Sequence, residues 1–74
     1  MSQESRIKNR EILARNIKNL RLKTLIRREE LSLALGFDNS YISKLEKGKI
    51  NITIDKLTLL ADYFDVNIDN LLKE

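Results

Sequence analysis

The chain contains two glycines, Gly36 and Gly48, and no proline. Glycine adopts at little cost the left-handed backbone conformation that commonly ends a helix, and the residues around both glycines have helical spacing. The pattern predicts a helix that ends at Gly36 and a short helix over Asn39–Lys47 that ends at Gly48. Asp38 is expected to cap the short helix, because its side chain can accept backbone N–H bonds. So few turn-forming residues also exclude a β-sandwich or barrel, which needs many tight turns.

Apolar residues elsewhere recur at intervals of three and four, which is the period of an amphipathic helix. The spacing predicts helices over Arg10–Leu25 and Arg28–Leu35, a fourth helix capped by Thr53, and a last short helix that starts at Asn67 or Asp69. Residues 50–54 alternate like a strand but have nothing to pair with, so they are predicted to be a loop. The predicted core residues are Leu13, Ile17, Leu20, Leu31, Ala34, Leu35, Ile42, Leu45, Ile54, Leu57, Leu60, Ala61, Phe64, Ile68, Leu71 and Leu72.

The 74 residues are enough for one small domain. With 42% apolar and 34% charged residues, the composition is that of a globular chain. We therefore predict an all-α domain of five helices over residues 9–74, preceded by a polar tail over residues 1–8 that is frayed or extends the first helix only loosely.

Residue types that the chain lacks exclude several kinds of chemistry. There is no cysteine and no histidine, which rules out disulfides, thiolate nucleophiles, zinc fingers and imidazole bases. We expect no metal, no other cofactor and no enzyme activity, because there is no glycine-rich phosphate loop or ligand cluster. No apolar run approaches the roughly 20 residues of a membrane span, and no signal-type stretch begins the chain. A cytoplasmic location without a membrane partner is expected.

Charge is distributed unevenly along the chain. Residues 1–50 contain 12 Lys and Arg against 6 Asp and Glu, whereas residues 51–74 contain 2 against 5. The front of the domain therefore has a net charge of +6 and the back a net charge of −3. Such polarity can present one face to a polyanion, or it can simply be a solvated surface with uneven charge.

The two middle helices have the spacing of a helix-turn-helix. In that arrangement a turn of about three residues joins two helices, and the second helix lies in the DNA major groove. The second helix must then present polar, hydrogen-bonding side chains outward. The outward residues of the predicted third helix are Asn39, Ser40, Ser43, Lys44 and Lys47. This pattern favours DNA recognition, although short polar residues are common on any exposed helix.

Two segments carry a resemblance to a known family. Residues 29–37 read Glu-Glu-Leu-Ser-Leu-Ala-Leu-Gly-Phe, and residues 40–49 read Ser-Tyr-Ile-Ser-Lys-Leu-Glu-Lys-Gly-Lys. They resemble the helix-turn-helix of the Cro and lambda-repressor type, the XRE-like family, and the likeness covers about residues 11–72. The resemblance implies a compact five-helix, lambda-repressor-like domain and a transcription regulator that binds double-stranded DNA.

The resemblance also implies roles for single residues. Base-reading positions of the family are matched by Asn39, Ser40, Ser43 and Lys44. Phosphate-contacting positions are matched by Arg28, Tyr41, Lys47 and Lys49. A largely buried ion pair between the first helix and the end of the third is matched by Arg21 and Glu46. Alternative roles remain open, since Tyr41 can cover the junction of helices two and three, and the two lysines can be plain surface charges.

The chain departs from the family pattern at three points. Arg27 and Arg28 stand where the family usually has Ser-Gln. Two arginines at a helix start oppose the helix dipole, and Glu29 and Glu30 offset this only in part. Bound phosphate would relieve that conflict, which predicts a stronger nonspecific attraction to DNA. Ile52 replaces a frequent proline, which predicts a looser loop. Ser32 replaces a small apolar residue, which predicts weaker packing of the second helix.

One module of this size buries too little surface on DNA for tight specific binding. We therefore expect a homodimer that reads two half-sites of a (pseudo)palindromic operator, about 34 Å apart. The acidic end of the chain suits the dimer contact because it is remote from phosphates. Candidate contact residues, which can also pack internally, are Ile52, Tyr63, Val66, Ile68 and Leu72. No small-molecule ligand is expected, because no sensor domain follows.

The type of regulator is left open by the sequence, as are two other functions. Phage-type repressors and controllers of restriction–modification systems both have this length. An antitoxin-like protein would bind DNA and also hold a protein partner. Alternatively, the basic amphipathic segment Arg6–Arg28 can lie on an anionic membrane or bind an acidic partner. A footprint confined to a short palindrome would favour the DNA-binding function.

Overall fold

The computed structural model describes residues 3–74, and every regular element in that range is a helix. Helix α1 spans Gln3–Thr24, α2 Arg28–Ala34, α3 Tyr41–Glu46, α4 Ile54–Phe64 and α5 Ile68–Leu71. The all-α architecture of five helices predicted from the sequence is confirmed, and residues 50–53 form a loop as predicted. The longest dimension is 33 Å, about the length of α1 at 1.5 Å per residue.

Helix α1 begins earlier than the sequence predicts. Residues 1–8 are expected to be frayed or to extend the helix only loosely, and α1 begins at Gln3; residues 1 and 2 lie outside the described part. No glycine or proline interrupts residues 3–9, so the helix can continue through them, and Lys8 Nζ lies 2.7 Å from Glu74 Oε1. α1 has 22 residues but carries many charges, and no helix in the described part is long and apolar enough to cross a membrane.

The core lies where all five helices meet. Its buried members are Leu13, Ile17, Leu31, Ile42, Leu45, Leu57, Leu60, Ala61 and Leu71. Three predicted core residues are instead exposed. Ile54 is 71% exposed because, as the first residue of α4, it projects beyond the packed part of the core, and Ala34 is exposed at the last position of α2. Leu72 lies after the end of α5 and is 44% exposed.

Polar contacts hold the ends of α4 and α5 in place. The Thr53 hydroxyl accepts the N–H of Lys56 at 3.2 Å, so the predicted cap of α4 is present. Asn16 on α1 donates through Nδ2 to the carbonyls of Leu71 and Lys73, both at 2.8 Å. A single side chain of α1 thus binds two carbonyls at the end of α5, where a helix leaves its carbonyls without partners.

Candidate nucleic-acid interface

Helix α3 lies between two glycines in the left-handed conformation. Gly36 has a φ of 77° and Gly48 a φ of 72°. The chain reverses at each glycine, so the Phe37 N–H donates to the Ser32 carbonyl at 2.8 Å, and the residue after Gly48 makes the equivalent bond at 3.2 Å. These bonds satisfy carbonyls at the ends of α2 and α3. Helix α3 has six residues, Tyr41–Glu46, rather than the predicted Asn39–Lys47.

The four predicted base-reading residues lie close together in the chain, in the turn before α3 and in α3 itself. Asn39 and Ser40 precede the helix, and Ser43 and Lys44 lie within it. Asn39 and Lys44 are exposed, whereas the two serines are half-buried. Residues 39–44 therefore present short polar groups and the cation of Lys44 to solvent.

Asp38 is not the cap of α3, contrary to the sequence prediction. The residue at the cap position is Ser40, and no side-chain hydrogen bond caps the helix there. The Asp38 carboxylate instead accepts the Ser40 hydroxyl at 2.7 Å, and the Asp38 carbonyl accepts the N–H of Tyr41 at 3.0 Å. Because its proton is used within the protein, the Ser40 hydroxyl offers a base an acceptor oxygen.

The predicted phosphate-contacting residues lie at the two ends of the helix pair. Lys47 and Lys49 are exposed just after α3, and Arg28 is the first residue of α2. Arg28 Nε donates to Glu46 Oε1 at 3.0 Å while 49% of its side chain remains exposed. The structure thus brings Arg28 close to the end of α3, where both lysines are found.

Tyr41, the fourth of these residues, is half-buried at the junction of α2 and α3. Its ring centroid lies 4.6 Å from that of Phe37. Lys56, which belongs to α4, places its Nζ 4.8 Å from the centroid of the Tyr41 ring. The ring therefore covers the junction, and burial raises the pKa of the Tyr41 phenol. A protonated phenol is a hydrogen-bond donor, as a phosphate contact requires. The contact with Lys56 was not predicted, because it depends on how α4 packs.

A buried cluster of charges joins α1, α2 and α3. Arg21 Nε donates to Glu46 Oε2 at 2.6 Å, and Arg21 Nη2 donates to Oε1 at 3.2 Å. The two side chains are 8% and 4% exposed, and Arg21 Nη1 also donates to the Ile26 carbonyl at 3.2 Å. Arg28 is a third member of the cluster that sequence reasoning missed. One carboxylate at the end of α3 therefore binds guanidinium groups from both preceding helices.

Ser32 forms a second polar bridge between α2 and α3. Its fully buried Oγ donates to the Arg28 carbonyl at 2.9 Å and accepts the N–H of Ile42 at 3.0 Å. The first N–H groups of a helix have no partner within it, so Ser32 supplies one to α3. The prediction that Ser32 weakens packing of α2 is wrong, since an alanine there would leave the Ile42 N–H buried without an acceptor.

Carboxylates compensate the charge of the two arginines that oppose the helix dipole at the start of α2. Glu30 Oε1 accepts both the backbone N–H of Arg27 at 3.3 Å and its Nε at 2.7 Å. This hydrogen bonding lowers the pKa of the Glu30 carboxyl and raises that of the Arg27 guanidinium. Arg28 is bound by Glu46, so each arginine has a carboxylate partner. The conflict predicted from the sequence is therefore relieved within the protein, without bound phosphate.

The predicted dimer-contact residues differ in exposure. Ile52, Val66 and Ile68 are half-buried and pack against the core. Tyr63 and Leu72 are 42% and 44% exposed. The Tyr63 ring makes an edge contact with Phe64, with centroids 5.1 Å apart. The interpretation that these residues pack internally thus describes three of them, whereas Tyr63 and Leu72 leave apolar surface open.

Fold and site together define an all-helical domain built around a helix-turn-helix, with a polar α3 fastened to α1 and α2. A family model described as "Helix-turn-helix" matches residues 17–71. Control protein C.SmaI of Serratia marcescens is 30% identical over 63 residues, which cover 85% of this chain and 75% of that protein. The crystal structure of a hypothetical transcription factor, NHTF, from Neisseria superposes with a TM-score of 0.83 at 29% identity, covering 88% of this chain and 75% of that one. The chain belongs to the helix-turn-helix family, of the Cro and lambda-repressor type, and is a DNA-binding regulator of transcription.

Proposed function

We propose that the protein is a sequence-specific regulator that binds a (pseudo)palindromic operator as a homodimer, with α3 in the major groove of each half-site. The observation that carries the proposal is the way α3 is held. Glu46 and Ser32 fasten its two ends to α1 and α2, while Asn39 and Lys44 stay exposed. A helix that is fixed from behind and polar in front is what base reading requires.

The side chains of this segment suit particular base edges. A lysine such as Lys44 can donate to O6 and N7 of guanine, and an asparagine such as Asn39 can pair with N6 and N7 of adenine. Ser40 and Ser43 are short enough to allow close approach of the groove. Arg28, Tyr41, Lys47 and Lys49 would contact the phosphates on either side, which sets the register without reading sequence.

Two observations support dimeric action. Tyr63 and Leu72 leave apolar surface exposed, and Tyr63 lies in the chain between Asp62 and Asp65, whose charges repel phosphates. A single small module also gains too little from DNA for tight specific binding, whereas two copies read half-sites one helical turn, about 34 Å, apart. The similarity to a control protein favours a controller-type role, and phage-type repression is the other candidate.

Selection of bound duplexes from a random DNA pool tests this function. We expect a palindromic consensus, protected from cleavage over two half-sites one helical turn apart. A pool without any enriched sequence, or a footprint without two-fold symmetry, would contradict the proposal. Sedimentation of the protein without DNA, at the concentration used in the selection, should show a species of twice the mass of the 8.7 kDa chain.

A further inference from the structure

The face of α1 that packs on the core changes character towards the start of the helix. Leu13 is buried on this face, and positions 6, 9 and 10 continue the same face at helical spacing. Those positions hold Arg6, Asn9 and Arg10 rather than apolar residues. The start of α1 therefore extends past the core with hydrogen-bond donors on the side that faces the domain.

These three residues line a cleft of about 230 Å³. The loop after α3 forms its other wall through Ile50, Asn51 and Ile52, and Leu13 and Leu72 complete the lining. No lining residue is acidic, and the ion pairs among the described residues involve other cations. The lining thus contains two arginines and no carboxylate, whereas Arg21, Arg27 and Arg28 are each bound to a carboxylate.

The lining combines two chemistries. Guanidinium and amide groups donate hydrogen bonds to oxyanions, while the isoleucine and leucine side chains favour apolar surface. The backbone of DNA alternates the same two features, an anionic phosphodiester and a deoxyribose with apolar faces. A carboxylate ligand would match the donors but would leave most of the apolar lining uncovered.

The cleft lies directly beyond the predicted phosphate contacts at the end of α3. Lys49 and Asn51 are two residues apart, so their Cα atoms are separated by at most about 7 Å. This is about the axial rise of two nucleotides along one strand. A phosphate two nucleotides from one held by Lys49 is thus at the spacing of Asn51, which shares the lining of the cleft with Arg6 and Arg10.

We propose that the cleft between the start of α1 and the loop after α3 binds a phosphodiester of the operator backbone through Arg6, Arg10 and Asn9. This inference rests on the proposed function, because it extends the DNA contact from α3 to α1. The contact is independent of base sequence. It adds two cations to the electrostatic attraction and leaves base preference unchanged.

The test is the salt dependence of binding to the selected duplex, for the parental protein and for R6A/R10A. Each phosphate contact contributes about 0.9 to the slope of log K against log salt, so the double variant should lose about 1–2 units of slope. Alanine favours helix, so α1 persists. The matched control is K8A/K23A, which removes the same charge from α1 outside the cleft and should keep the parental slope. R6K/R10K should restore most of the lost slope.

Three outcomes would overturn the inference. The first is that R6A/R10A keeps the parental salt slope. The second is that its salt slope changes no more than that of K8A/K23A, which would mean that the effect comes from net charge alone. A shift of the monomer–dimer equilibrium in sedimentation, with an unchanged slope per dimer, would instead make the cleft a contact for a second copy. If the parental protein binds no duplex at all, the proposed function itself fails, and that result is distinct from all three.

Discussion

The contact between α2 and α3 and the contact between α4 and α5 are made by different forces. Buried polar bridges fasten α3, through Glu46 at its end and Ser32 at its start. In the described part of α4, side-chain hydrogen bonds stay within the helix and its cap, and apolar packing joins it to α5. Apolar contacts tolerate small shifts, whereas a hydrogen-bonded carboxylate or hydroxyl specifies a position.

Under the proposed function, this difference corresponds to a division of tasks. A helix that reads bases must be held in one orientation, and α3 has polar anchors at both ends. A surface that associates with another copy needs exposed apolar area, and Tyr63 and Leu72 provide it. The comparison predicts that substitutions behind α3 alter stability and reading together, whereas substitutions on the exposed surface of α4–α5 alter association alone.

The largest effect is expected from Glu46→Ala. Removing this carboxylate leaves Arg21 buried without its partner, and loss of one member of a buried pair costs about 3–5 kcal/mol of the free energy of unfolding. Urea unfolding followed by circular dichroism measures it. Glu30→Ala is the control, because Glu30 also accepts two hydrogen bonds but is exposed, and its loss should change stability little. Parental stability of the Glu46 variant would show that α3 does not depend on this cluster.

Ser32→Ala should have the next largest effect. Without the hydroxyl, the Ile42 N–H is buried and unpaired, and an unsatisfied group of this kind costs about 1–3 kcal/mol. The same unfolding measurement checks it. Ser43→Ala, which removes a hydroxyl outside the bridge, should stay close to the parental stability. Equal stability of both variants would mean that Ser32 contributes no more than a small side chain.

Lys44→Ala tests the proposed contact between α3 and the bases. We expect a loss of about 1–3 kcal/mol confined to one base pair of each half-site, measured by titrating duplexes with that position varied. Lys49→Ala should weaken all duplexes alike and lower the salt slope by about one unit for each subunit. Equal losses on every duplex for both variants would remove the distinction between base and phosphate contacts.

Tyr63→Ala tests the proposed dimer contact on α4. Loss of this exposed ring should weaken dimerisation by about 1–2 kcal/mol, seen as a higher dissociation constant in sedimentation, with little change in stability. Ile54→Ala removes a more exposed apolar side chain from the same helix outside the predicted contact, and dimerisation should persist. A dimer that is unaffected by Tyr63→Ala would place the contact elsewhere.

Local signals in the sequence predicted much of the fold. The two glycines set the ends of α2 and α3, the cap residue Thr53 marked the start of α4, and spacing of apolar residues identified the core. The start of α1 at Gln3 was missed because residues 3–9 carry no strong helix-start signal. The exposure of Ile54 was missed because spacing gives the face of a helix but not how far the core extends along it.

The candidate site was less accessible to sequence reasoning, because its contacts join residues that are far apart in the chain. Arg28 and Glu46 are 18 residues apart, and the Ser32 hydroxyl meets a backbone N–H ten residues later. A polar residue at a buried position of α2 was the signal for Ser32. The role of Ser32 as a bridge follows only once the start of α3 is known to lie against its hydroxyl. The pairing of Arg27 with Glu30, at a spacing of three on one helix, was within reach of the sequence.

The most direct test of the account is a titration of the isotopically labelled protein with its selected duplex, followed through backbone amide chemical shifts. We expect the largest changes at residues 39–47, with smaller ones near Arg28, Lys49 and Arg10 and little change in α4. If the amides of residues 39–47 stay in place while those of another surface move, α3 is not the reading helix and the central claim is contradicted.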